Sequence, residues 1–213
     1  MGTRERMGTR EQQKARRRQD VLRAAEHLFA QDGIQKTTVD AIAARAGLAW
    51  ATVYKYYGSK DAIVDAVVRP ELERIFSLAD QIIANPPHEA RDAVFALVGC
   101  YTRWRDNWQD RRLLRAMSSA GAIKDAGAVH ELSVWANTRL RAQIRDLLEL
   151  LQQRGCVARS ANLDDMSQVI YAVFNQEYEV YIRSDDMPAG QVFARIRRLI
   201  NTLFEPWTSE NGR

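Results

Sequence analysis

A chain of 213 residues, 46% of them hydrophobic, is long enough to bury a core in one or two domains and reads as an ordinary soluble protein. No run reaches the roughly 18 uninterrupted apolar residues of a membrane span, and the opening MGTRERMGTREQ has charges without the apolar segment of a secretory leader, so a cytoplasmic location without membrane contact is expected. The net charge of +4 is unevenly spread: residues 1–60 hold twelve basic and six acidic side chains, leaving −2 on the rest, and a basic head on a near-neutral body is the footprint of a nucleic-acid-binding module joined to something with another task.

Residues 1–13 repeat MGTRE without periodic apolar positions, which predicts a disordered arm and leaves Met7 as a second plausible start. From Lys14 a basic run, Lys14, Arg16, Arg17 and Arg18, leads into Val21, Leu22, Ala25, Leu28 and Phe29 at helical spacing. Gly33 is a good terminator for this helix, and Thr37 with Asp40 predicts a capping box for the next. Val39, Ile42, Ala43 and Ala46 then form a narrow apolar stripe, closed by Gly47, and only three residues separate it from a third helix over Trp50–Tyr57. That short Gly-containing turn matches a helix-turn-helix, whose second helix lies in the DNA major groove. Leu48, Val53 and Tyr57 should then face the core, and Trp50, Ala51, Thr52 and Lys55 the DNA. Tyr54 could serve as a core wall whose hydroxyl only brushes a phosphate. Trp50 could offer an apolar surface to a thymine methyl or a sugar edge, or pack on the reader's own surface.

These residues resemble the tetracycline-repressor-like (TetR) transcriptional regulators. The resemblance covers residues 14–65: a basic helix ending in Leu28-Phe29-Ala30-Gln31-Asp32-Gly33, then Thr38-Val39, Ile42-Ala43, Ala46-Gly47 and Thr52-Val53-Tyr54-Lys55-Tyr56-Tyr57-Gly58-Ser59-Lys60. It implies an all-α fold of about nine helices, with a three-helix DNA-binding domain over 14–60, a helical ligand-binding and dimerisation domain over 61–207, and a frayed tail over 208–213. It also implies that Thr38, Tyr56 and Lys60 touch phosphates and that residues 50–55 meet bases; Lys14 and Arg17 of the basic run are further candidates for DNA contact. Two departures stand out. Ala49 replaces the usual Ser or Thr cap of the reading helix, worth about 0.5–2 kcal/mol where it helps, and Trp50 and Ala51 stand where relatives carry small or basic residues.

Ser59-Lys60-Asp61 reopens helix, and Ile63, Val67, Leu72, Ile75, Phe76, Ala79, Ile82 and Ile83 carry it to about Ala84, with a kink or break expected at Pro70. Beyond Asn85-Pro86-Pro87 the pattern predicts helices over about 88–107, 111–120 and 128–153, the last stopping at Gly155. Asn162 can cap another helix, and Met187-Pro188 opens the last. Phe95, Cys100, Tyr101, Trp104, Trp108, Met117, Trp135, Tyr171, Phe174 and Tyr178 are candidate walls for a small hydrophobic or aromatic effector between helices. Arg103, Arg105, Arg111, Arg112 and Arg115 could pair with a carboxylate or phosphate of a ligand or form a solvated rim. In the family the last two helices pair with their symmetry mates, which makes Val169, Val173, Tyr181, Val192, Ile196, Leu199, Ile200 and Leu203 candidates for a homodimer interface.

Cys100 and Cys156 lack CxxC spacing and read as free thiols. His27, His88 and His130 are isolated, and neither HExxH, GxSxG, a phosphate loop nor metal-ligand spacing occurs, so no enzyme, metal or cofactor is expected. The reading is a homodimeric regulator released from a palindromic double-stranded DNA operator by a ligand. An architectural DNA binder without effector, or an all-helical enzyme with a cryptic site, is the alternative.

Overall fold

The computed structural model describes residues 2–102, 115, 118, 127–184 and 186–208. The described residues form eight helices and no strand: α1 (Gly2–Asp32), α2 (Val39–Arg45), α3 (Trp50–Tyr57), α4 (Lys60–Ala84), α5 (Ala90–Thr102), α6 (Ala128–Gln153), α7 (Leu163–Arg183) and α8 (Ala189–Thr208). The helix expected over 111–120 lies outside the described residues, apart from Arg115 and Ser118, which are helical.

The chain divides into two compact units, residues 1–70 with 112–133 and residues 71–111 with 134–213. The boundary expected at residue 60 therefore falls ten residues later, at Pro70. The reason is packing: the first turns of α4 bury Ile63, Val64 and Val68, and Asp61 sits so close to Gly127 that an added Cβ there would meet its Oδ2 at 2.5 Å. Pro70 itself does not break α4, which runs unbroken through it.

In the first unit α1 packs on α2 and α3, and α2 on α3. Val21, Ala24, Ala25 and Phe29 meet Ile34, Ile42, Ala43 and Val53 in one small core. The expected disordered arm is instead the beginning of α1, which reaches back to Gly2; its Arg, Glu and Gln residues are good helix formers and no proline interrupts them. Two details of the expected packing differ. Leu48 and Tyr57 are half-buried rather than core, and Tyr57 is held at the surface by α1, its hydroxyl donating to the Arg18 carbonyl at 3.1 Å beneath the Arg18 guanidinium, 5.4 Å from the ring centroid.

The second unit joins residues 71–84 of α4 and 134–153 of α6 to α5, α7 and α8, with α8 packed on both α7 and α5. Leu97, Ile144, Leu147, Leu148, Tyr181 and Phe204 are among its fully buried side chains. Asn162 caps α7 as expected, its side-chain oxygen accepting from Asp164 N at 3.1 Å and Asp165 N at 3.3 Å. Among the described residues no helix is long and apolar enough to cross a membrane.

Candidate DNA-binding interface and effector site

The turn between α2 and α3 is set by Gly47, at φ 66°, a left-handed backbone that costs a residue with a side chain roughly 1–2 kcal/mol. Gly58, at φ 76°, makes the equally tight turn into α4. Thr38, not Thr37, caps α2, accepting from Ala41 N at 3.1 Å. Thr37 is turned inward, 3% exposed, its hydroxyl donating to the carbonyls of Gly33 at 2.8 Å and Leu28 at 3.3 Å, so it ties the end of α1 to the loop. The expected box with Asp40 is not formed: with Thr38 as the cap, the residue three positions on is Ala41, which has no side-chain acceptor to return the bond.

Ala49 occupies the N-cap of α3 and makes no side-chain cap bond. Val53 is buried beneath α3, while on its outer side Ala51, Thr52, Lys55 and Tyr56 line a cleft with Lys14 and Arg17 of α1. Six of the ten expected DNA-contacting residues thus share one surface, and it is cationic. Trp50 and Tyr54, one helical turn apart, stack on the adjoining flank with ring centroids 4.8 Å apart and planes at 19°. Both are exposed, so Tyr54 is no core wall. Lys60 is engaged elsewhere: its ammonium donates to the carbonyls of Ile34 at 3.0 Å and Gln35 at 3.3 Å, bracing the loop after α1.

In the second unit five aromatic rings adjoin. Trp135 meets Phe76 edge-on at 4.8 Å, Phe76 lies 6.2 Å from Tyr101, and Tyr101 meets Phe174 edge-on at 6.3 Å. Phe174 stacks on Tyr178 at 5.7 Å. A polar chain runs through this cluster. The Tyr101 hydroxyl donates to Gln143 Oε1; Gln143 Nε2 donates to the Phe76 carbonyl at 3.0 Å and to Asp80 Oδ1 at 2.6 Å; Arg139 closes on Asp80 at 2.8 Å. Gln143 is fully buried with every one of these partners in place, as a buried amide requires. Burial, the dominant cause, pushes the Tyr101 hydroxyl above its ordinary pKa, and the Asp80 carboxylate adds to this while Arg139 opposes it.

Of this cluster, Tyr101, Trp135, Phe174 and Tyr178 are among the residues expected as effector walls, whereas Phe76 and Gln143 are not. The signal for Gln143 was present, since an amide stands on the apolar stripe Leu140, Ile144, Leu147 of α6. Two other expected ligand walls lie at the surface. Phe95 is half-buried under the Arg197 guanidinium, 5.1 Å from its ring, and Tyr171 under Arg141 at 4.8 Å; long cationic side chains cover rings whose one face is wet. Cys100 is buried, its thiol directed at the Ala96 carbonyl at 3.5 Å. Trp104, Trp108 and Met117 lie outside the described residues.

The expected dimer residues also divide. Tyr181, Val192, Ile196 and Ile200 are at most 3% exposed and belong to the unit's own core, because the inward side of α8 faces α5 and α7. Val169 is 43% exposed, Val173, Leu199 and Leu203 are half-buried, and Val169 and Leu203 line an apolar groove with Asn162, Asp165, Met166 and Ile170. Nearby, Glu177 is buried and ion-paired to Arg195 at 3.0 Å.

Residues 21–67 match the family described as bacterial regulatory proteins, tetR family. The chain is 36% identical over 66 residues to the HTH-type transcriptional repressor KstR2 of Rhodococcus jostii, a match covering 31% of this chain and 32% of that one. It spans about a third of the length of the curated relatives it matches. Its fold extends further: the structure of a SmeT–triclosan complex is matched with a TM-score of 0.74 at 15% identity over 88% of this chain and 90% of that chain. SmeT is the repressor of a multidrug efflux pump of Stenotrophomonas maltophilia. The fatty acid degradation regulator FadR of Bacillus halodurans is matched with a TM-score of 0.69 at 14% identity, over 85% and 96% of the two chains. The fold is that of the TetR regulators.

Proposed function

We propose that this chain, whose N-terminal domain is a tetR-family DNA-binding domain, is a homodimeric transcriptional repressor that leaves a palindromic operator when a small hydrophobic or aromatic ligand binds. The observation that carries the reading is the cationic cleft in which Lys14 and Arg17 of α1 stand beside Ala51, Thr52, Lys55 and Tyr56 of α3. A helix-turn-helix places its second helix against base edges while cations at its flank hold the phosphates, so the two sides of this cleft divide the work of specificity and positioning. Thr38 and Tyr56 are assigned to phosphates, and Lys60 acts chiefly as the brace of the loop after α1. A two-fold dimer then presents two such surfaces to half-sites about 34–36 Å apart, or a multiple of that.

The effector is assigned to the aromatic cluster around Gln143, with Tyr101, Trp135, Phe174 and Tyr178 as walls and the amide chain as the polar element that orients it. The match to the fold of a SmeT–triclosan complex supports a ligand-responsive second unit. Release is a matter of linkage: the ligand weakens operator binding by its differential affinity for the two conformations of the dimer. α4 suits the coupling, since one continuous helix carries Lys60 in the first unit and Phe76 and Asp80 in the second.

The test is binding of the full chain to duplexes selected from a random-sequence pool. With two cations per protomer on phosphates (Lys14 and Arg17), four in the dimer, affinity should fall about 10²-fold between 50 and 200 mM salt. Failure to enrich any duplex, or salt-insensitive binding, would overturn the assignment.

A further inference from the structure

The exposed aromatic pair on α3 is not used by the phosphate-binding cleft. Trp50 is 46% exposed and Tyr54 51%, yet their rings are stacked at 4.8 Å and 19°, so together they form one ordered apolar plate on the flank of the helix next to Ala51 and Lys55. Positions 50 and 54 are one turn apart, and Trp50 opens the helix, the end from which base edges are read in this motif. The plate offers little polar chemistry: one indole N–H, and one hydroxyl at its far end. Among the groups a base pair presents in the major groove, the thymine C5-methyl is the apolar one.

We infer that the Trp50–Tyr54 stack is a specificity element that selects a thymine at a fixed position of each operator half-site by packing on its C5-methyl. The inference rests on the reading of α3 as the DNA-reading helix and names what that helix reads. Stacking is what makes the plate effective. Each ring fixes the other before DNA arrives, so less side-chain freedom is lost on binding than two independent aromatics would lose. Lys14 and Arg17, on the adjoining surface, would hold the backbone without regard to sequence.

The experiment replaces thymine by 2′-deoxyuridine, one position at a time, in a duplex selected by the full chain from a random pool. The substitution removes the C5-methyl and leaves base pairing unchanged. Affinity should fall about fourfold at one thymine per half-site, the worth of one buried methyl group, and stay unchanged at the others. With Trp50→Ala the thymine-to-uracil ratio at that position should approach one while the salt dependence is retained. Tyr54→Phe, which keeps the stacked ring, should preserve the ratio. Uracil proving neutral at every position, or the ratio surviving in Trp50→Ala, would overturn the inference while leaving DNA binding intact. A uniform loss of affinity in Trp50→Ala with no change of base preference would also overturn it, by assigning the plate to the sugar–phosphate backbone. If no duplex is enriched at all, the DNA-binding reading falls first and this inference with it.

Discussion

Tyr101 is 8% exposed, and its burial raises the hydroxyl above the ordinary tyrosine pKa. Its hydroxyl donates to Gln143 in a buried setting that disfavours the tyrosinate, so the folded chain holds this proton to higher pH than the unfolded chain, which releases it near pH 10. The stabilisation is therefore complete below about pH 10 and is lost as pH rises through the raised folded value. Stability in urea should decline more steeply above about pH 10 in the wild-type chain than in Tyr101→Phe. Equal slopes would show that the hydroxyl ionises freely in the fold. Tyr57 and Tyr171 are raised in the same direction, chiefly by burial and against the pull of Arg18 and Arg141, so Tyr101→Phe should remove only part of the alkaline dependence. The same scale explains the displaced cap on α2. Thr37 and Thr38 have the same side chain, and only the fold decides that the first turns inward to Gly33 while the second, in extended backbone, meets Ala41 N.

At the scale of the element, α4 carries a proline, Pro70, in its interior. Pro70 removes the hydrogen bond that the Ala66 carbonyl would have accepted and crowds that carbonyl, yet the helix continues to Ala84 because Ile63, Val64, Val68, Leu72, Ile75 and Phe76 are buried on both sides of it. Pro70 is exposed, so Pro70→Ala should restore the bond without disturbing a core contact and raise stability by about 1–3 kcal/mol, read from urea unfolding. A loss of stability would mean that the packing around position 70 requires the proline. The helix-turn-helix was legible in the sequence because its signals are local: Gly47, the three-residue spacing and the stripe of α2 each act within one turn. The boundary at Pro70 was not, since residues 61–68 keep the composition of a continuing helix and only their burial assigns them to the first unit. α8 posed a related difficulty, because Val192, Ile196 and Ile200 share a wide apolar stripe with Leu199 and Leu203, and periodicity alone does not divide own-core from interface.

For the whole molecule, the groove holding Val169 and Leu203 is where the proposed dimer would close. Val169 is 43% exposed, so Val169→Asp should leave the protomer's stability within about 0.5 kcal/mol and yield a monomer in sedimentation, with operator affinity falling in parallel. A dimer that survives the aspartate would place the interface on another surface. The polar chain of the second unit has a further consequence. Gln143 bonds to Tyr101 on α5 and to Phe76 and Asp80 on α4, partners 42, 67 and 63 residues away. An apolar stripe tolerates neighbouring registers, since one leucine can replace another a turn further on. A slip of α6 by one turn would instead carry the amide about 5.4 Å from all three partners and strand a buried donor and acceptor at roughly 1–3 kcal/mol each. The three helices are thus keyed to a single alignment, and the amide contributes to the uniqueness of the native state more than to its depth.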